Sequence, residues 1–136
     1  MRGVPFLIAG LALAGCTAQA QEPPSGQGGQ AKLEKLLAGK TAGAPISCLP
    51  PKLSSRDMVV IDSRTVAFRD GRGRTYVNHL RGQCDNLGYG SYTLVTKSRG
   101  SGSCSGDVAE ITDVRTGASV GSCALGEFVP YTAPGR

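Results

Sequence analysis

The spacing of apolar residues changes character several times along the chain. Val4 to Leu13 is an uncharged apolar run of about ten residues, half of the roughly twenty that a helix needs to cross a bilayer. It has the length of the hydrophobic region of an export signal, and it follows a short positive start at Arg2. Gln21 to Gln30 (QEPPSGQGGQ) holds no core-forming residue and reads as a flexible tether. Ala31 to Ala38 (AKLEKLLA) sets Leu33, Leu36 and Leu37 at helical spacing, with Gly39 as a C-terminal stop. Two turns are marginal alone, so this helix must dock on the domain or fray.

From Ala44 onward the period falls to two. Met58 to Ile61 is apolar, Thr65 to Arg69 alternates, Asp70-Gly71 signals a hairpin, and Arg74 to Leu80 returns. These form a three-stranded meander. Ser91 to Lys97 predicts a fourth strand, Asp107 to Val114 and Ala118 to Ala124 a further hairpin, and Glu127 to Tyr131 a closing strand. The predicted fold is mainly β: a small antiparallel sandwich or barrel of about six or seven strands with one short N-terminal helix. The predicted organisation is a signal at 1–15, a tether at 16–30, the helix at 31–39, the β domain at 40–131 and a loose end at 132–136.

Composition sharpens this picture. Twenty glycines, no tryptophan and few aromatics leave material for only a modest core, so covalent staples are expected. Cys48, Cys84, Cys104 and Cys123 lie in the β region. An even count in an exported chain reads as two disulfides. A structural zinc site would draw on cysteine pairs two to four residues apart, and no such pair exists here. No metal or other cofactor is therefore expected. Four cysteines permit three pairings. The longest-loop argument leans towards Cys48–Cys123 with Cys84–Cys104.

Leu13-Ala14-Gly15-Cys16, directly after the apolar run, resembles the lipobox of bacterial lipoproteins. The resemblance implies cleavage before Cys16 and acylation of its thiol. Thr17 in place of Asp implies sorting to the outer membrane, facing the periplasm. The rival is Ala18-Gln19-Ala20, a small-x-small cleavage site that would release a soluble periplasmic protein with an enzymatic or inhibitory role.

Further segments carry a second resemblance: Gly43-Ala44-Pro45-Ile46-Ser47-Cys48-Leu49-Pro50, Val60-Ile61-Asp62, Arg69-Asp70-Gly71, Tyr76-Val77-Asn78, Cys104-Ser105-Gly106-Asp107, and Cys123 to Tyr131. Together they resemble a family of small exported proteins from Gram-negative alphaproteobacteria, catalogued only as a domain of unknown function. That implies a periplasm-facing β domain with two disulfides. It implies no activity and transfers no catalytic residue.

The distinctive chemistry is arginine. Six arginines and three aspartates lie between Arg56 and Arg81, in a chain of formal net charge +5. Arg69, Arg72 and Arg74 crowd one hairpin tip, where guanidinium forks suit phosphate or carboxylate. Lipid A, phospholipid head groups and peptidoglycan are the anionic envelope components such a tip would meet, with another envelope protein as the alternative partner. The bland reading is a solvated turn whose arginines pair with Asp62 and Asp70. Nucleic acid is not expected, because no aromatics interleave with the basic residues. His79 is the lone histidine and lies on a predicted strand without an orienting partner, so no catalytic residue is nominated. Gly71-Arg72-Gly73 and Gly100-Ser101-Gly102 lack the following helix of a phosphate-binding loop and read as turn glycines.

Overall fold

The computed structural model describes residues 27–82, 84–98, 100 and 102–135. The export signal, Cys16 and both cleavage sites lie outside them. Among the described residues no helix is long and apolar enough to cross a membrane.

After the helix α1 (Gln27–Leu37), eight strands follow: β1 (Thr41–Ala42), β2 (Met58–Val60), β3 (Thr65–Asp70), β4 (Arg74–His79), β5 (Tyr92–Lys97), β6 (Val108–Asp113), β7 (Ser119–Ala124) and β8 (Phe128–Thr132). They form two antiparallel sheets, ordered β1-β8-β4-β3-β2 and β5-β6-β7. The fold is the mainly β architecture with one short helix expected from the alternation. The additional strand is β1, whose two exposed residues carry no periodic signal and are held by pairing with Tyr131 and Thr132.

Strand alternation explains how the sheets meet. On one face of the larger sheet, Met58, Phe68, Tyr76 and Pro130 share a cross-strand row, and Val60, Val66, Asn78 and Phe128 share the next. Leu94, Ala109 and Ile111 of the smaller sheet belong to the same core as Val66, Phe68, Tyr76 and Phe128. The sheets therefore pack face to face as a sandwich, with the Phe68 and Phe128 rings edge to face at 5.9 Å.

The opposite face of the larger sheet presents Val59, Ala67, Val77 and Val129 in one row and Thr75 beside them. Helix α1 is tied to this side. Lys32 Nζ donates to the Val60 carbonyl at 2.7 Å, and Lys40 Nζ donates to Thr75 Oγ1 at 3.0 Å and to the Leu36 carbonyl. The helix starts at Gln27, four residues before the expected start. Local propensity argues against Gly28 and Gly29 in a helix. Docking overrides it, because a side chain on Gly29 would meet the Ile61 carbonyl oxygen at 2.8 Å. Gly39 has φ +70 and ends the helix as expected.

The disulfides are Cys48–Cys104 and Cys84–Cys123, not Cys48–Cys123 with Cys84–Cys104. Backbone pairing decides the matter. Ser47 to Leu49 runs antiparallel to Ser103 to Ser105, so Cys48 faces Cys104. Arg81 bridges Ala124, which brings the chain leaving β4 beside Cys123. Loop entropy also grows only as the logarithm of loop length. Two loops of similar length, with separations of 56 and 39, therefore constrain the unfolded chain as well as one long and one short loop.

Asp113 organises the β6–β7 turn. Its Oδ1 accepts from the Arg115 backbone N–H at 2.8 Å, and its carbonyl accepts from Gly117. That backbone bond, assisted by the Arg115 side chain, holds the Asp113 carboxyl below its ordinary value of 3.8. A carboxyl depressed in the folded state stabilises the fold above its unfolded pKa, and the contribution is lost as pH falls through the folded value. Asp113→Asn is therefore expected to lower the urea midpoint at neutral pH. The gap from wild type should narrow as pH falls below 3.8 towards the depressed folded value, and a gap unchanged on acidification would contradict the assignment.

Candidate functional site

The core-facing rows of the larger sheet run past the core at one end. Two residues beyond Phe68 and Tyr76, on the same face, lie Asp70 and Arg74, which pair across the hairpin and continue to Thr132. There the apolar face becomes charged. The β3–β4 turn is Gly71-Arg72-Gly73, and Gly71 takes φ +62, a conformation that suits glycine. The chain after β8 folds alongside this turn, with the Ala133 N–H donating to the Gly73 carbonyl at 2.8 Å. From the other side, the turn after Leu49 carries Lys52 to Asp70, where Nζ and Oδ1 are 2.8 Å apart.

These pieces enclose an open cleft of about 690 Å³ lined by Lys52, Asp70, Arg72, Gly73, Arg74 and residues 132–135. Three of its side chains are cationic and one is anionic. The Asp70 carboxylate is engaged by Lys52, whose ammonium keeps two further donors. Arg74 donates through one terminal nitrogen to the Tyr76 hydroxyl at 3.3 Å, and Tyr76 is itself buried in the core. That hydrogen bond raises the Arg74 pKa above its ordinary value, and it orients the guanidinium while leaving other N–H groups free.

The structure divides the arginine cluster. Arg72 and Arg74 share the cleft, whereas Arg69 does not line it. Arg69 pairs with Thr75 on the opposite face of the sheet. Strand parity separates it from Arg74 despite their closeness along the hairpin. The expected partners of the arginines are also different. Asp70 pairs with Lys52, and Asp62 Oδ1 accepts from the Arg64 backbone N–H at 2.7 Å.

Lys52 and the tail were not singled out in the sequence. Lys52 is eighteen positions from Asp70, in a turn with no charge pattern. A loose end is expected at 132–136; Thr132 instead belongs to β8, and residues 132–135 wall the cleft. His79 is exposed, on the face opposite the core, with Nδ1 3.4 Å from Thr65 Oγ1. The four cysteines of the β domain are all spent in disulfides. No protein-family model, curated protein or solved structure matches the chain.

Four of the segments singled out by the family resemblance, 43–50, 76–78, 104–107 and 123–131, meet around β8 and the chain leading into it. Asn78 is fully buried; its Nδ2 donates to the Gly126 and Glu127 carbonyls and its Oδ1 accepts from the Gly126 N–H. Ile46 pairs with Phe128, Gly43 donates to Pro130, and Leu125 exchanges bonds with Gly106 and Asp107. These contacts hold the strand β8 in place, whereas Arg69-Asp70-Gly71 belongs to the hairpin tip, where Asp70 pairs with Lys52 in the cleft.

Proposed function

We propose that this chain is a non-enzymatic cell-envelope lipoprotein, anchored through Cys16 at the outer membrane and facing the periplasm. Its β domain binds an anionic envelope component in the cleft at the β3–β4 tip. The observation that carries the binding role is the cleft itself: Lys52, Arg72 and Arg74 line one cavity, with a single carboxylate already paired to Lys52. Guanidinium groups present planar forks of donors that match phosphate and carboxylate oxygens. The address is supported by the apolar run and the lipobox-like Leu13-Ala14-Gly15-Cys16. The two disulfides support it independently, because such bonds persist in oxidising compartments.

Arg72→Ala with Arg74→Ala is expected to reduce salt-sensitive binding to lipid A vesicles or peptidoglycan fragments by at least about tenfold. Arg69→Ala should retain it. Equal loss in both variants, or no loss in either, would overturn the assignment of the cleft. Intact mass of the protein from its membrane fraction separates the two cleavage readings. A start at Cys16 with acyl chains supports the anchor, and a start at Gln21 without lipid supports a diffusible periplasmic protein.

A further inference from the structure

Resting on the proposal that the cleft takes an anion, we infer that its ligand is a phosphomonoester borne on a body of sugar or glycerol size. Charge count favours this class. Among the described residues, Lys52, Arg72 and Arg74 against Asp70 leave two positive charges in the cleft. A phosphomonoester carries about −1.5 to −2 at neutral pH, whereas a carboxylate or a phosphodiester carries one negative charge. The net charge of the cleft therefore matches the dianion, whereas a monoanion would leave one positive charge of the cleft uncompensated.

Donor supply points the same way. Two free donors on Lys52, the unbonded N–H groups of Arg74 and the whole Arg72 fork exceed what two carboxylate oxygens accept. Three phosphoryl oxygens would use them. Arg74 is the fixed member, held by Tyr76 from the core, while Arg72 lines the cleft from the turn.

Shape supplies the second half of the inference. A cleft of about 690 Å³ is far larger than a bare phosphate and lies within the range of small-molecule sites. Beyond the cations its wall is Gly73, Thr132, Ala133, Pro134 and Gly135. That wall carries no ionised side chain. It offers one hydroxyl, backbone polar groups and the flat flank of a proline, which suits an uncharged polyol body.

Protonation gives the test. Among the described residues, the charged and titratable groups facing the ligand are Lys52 from the turn after Leu49, Asp70, Arg72 and Arg74 from the hairpin, and the Tyr76 hydroxyl behind Arg74. No histidine lines the cleft among the described residues, His79 being on the opposite face. The ligand's own proton supplies the readout, with a second phosphate pKa of about 6.

Calorimetric titration of the full-length protein with glucose 1-phosphate should show affinity falling about tenfold from pH 7.5 to 5, following loss of the dianion. Glucuronate should bind more weakly and without that pH dependence, and inorganic phosphate should bind more weakly than the sugar phosphate. Arg72→Ala with Arg74→Ala should abolish all three. Vesicles bearing phosphatidic acid, compared with vesicles bearing phosphatidylglycerol, separate a lipid-borne monoester from a soluble one. Preference for phosphatidic acid vesicles over glucose 1-phosphate places the ligand on a lipid, and the reverse preference makes it free. Glucuronate binding as tightly as glucose 1-phosphate, lost in the double variant, would overturn the phosphomonoester and leave the anion cleft standing. Binding of no anion by the wild type would overturn both.

Discussion

Replacing Cys84 and Cys123 together by alanine is expected to lower the melting temperature by about 15–20 °C. The bridge closes a separation of 39 residues, and the loss of that constraint on the unfolded chain is worth about 4 kcal/mol. A domain of this size loses roughly 4–5 °C for each kcal/mol. Both cysteines are buried, Cys84 at 1% exposure and Cys123 at 8%, and both belong to the hydrophobic core, so the variant also loses packing there. The Cys48–Cys104 bridge closes a longer separation of 56, but Cys48 is exposed and Cys104 only half-buried. Its removal should cost about the same entropy and less packing. Thermal unfolding of both double-alanine variants measures the order. A shift below about 5 °C for Cys84→Ala with Cys123→Ala would contradict the bridge's role in closing the core. Peptide mapping without reduction checks the pairing itself.

Gly126→Ala should be the most damaging single-methyl addition in the domain, at about 3 kcal/mol or more. The new Cβ would press into the His79 carbonyl oxygen, which is backbone and cannot swing aside. Both partners of the Asn78 side chain at that point would have to move, and Asn78 is fully buried. Displacing Gly126 leaves its N–H or the Asn78 amide unpaired away from water. Gly102→Ala is the comparison: its nearest neighbour, the Leu49 carbonyl, is 3.2 Å away, and a small local shift relieves it. Urea unfolding should therefore show a large loss for Gly126→Ala and a small one for Gly102→Ala. Equal effects would show that the β4–β8 junction is looser than its hydrogen bonds imply.

Much of the fold was legible because it is local. The alternation in Thr65 to Arg69 and Arg74 to Leu80, broken by Asp70-Gly71, specifies a hairpin without reference to the rest of the chain, and β3 and β4 lie there. What escaped is non-local. The two residues of β1 exist because β8 offers an edge, and the first turn of α1 exists because Gly29 fits against Ile61. The disulfide pairing follows from which segments run side by side, and counting residues between cysteines does not reveal that.

The candidate site divides in the same way. Arg72 and Arg74 were visible as a cationic tip. The parity that sends Arg69 to the opposite face was also present in the sequence, since Arg69 and Asp70 are consecutive in a strand and so point apart. Proximity along the hairpin groups the three arginines, and parity separates them. Lys52 and the tail at 132–135 join the cleft only through the three-dimensional path of the chain, and no sequence signal marks them.

The most direct test is an NMR titration of the full-length, isotope-labelled protein with inorganic phosphate, following the arginine side-chain N–H resonances. An anion seated in the cleft shifts Arg72 and Arg74 in a saturable way and leaves Arg69 and Arg115 near their starting positions. Small, parallel, unsaturating shifts across all arginines would mean that the positive charge is only a solvated surface, and would contradict the binding role.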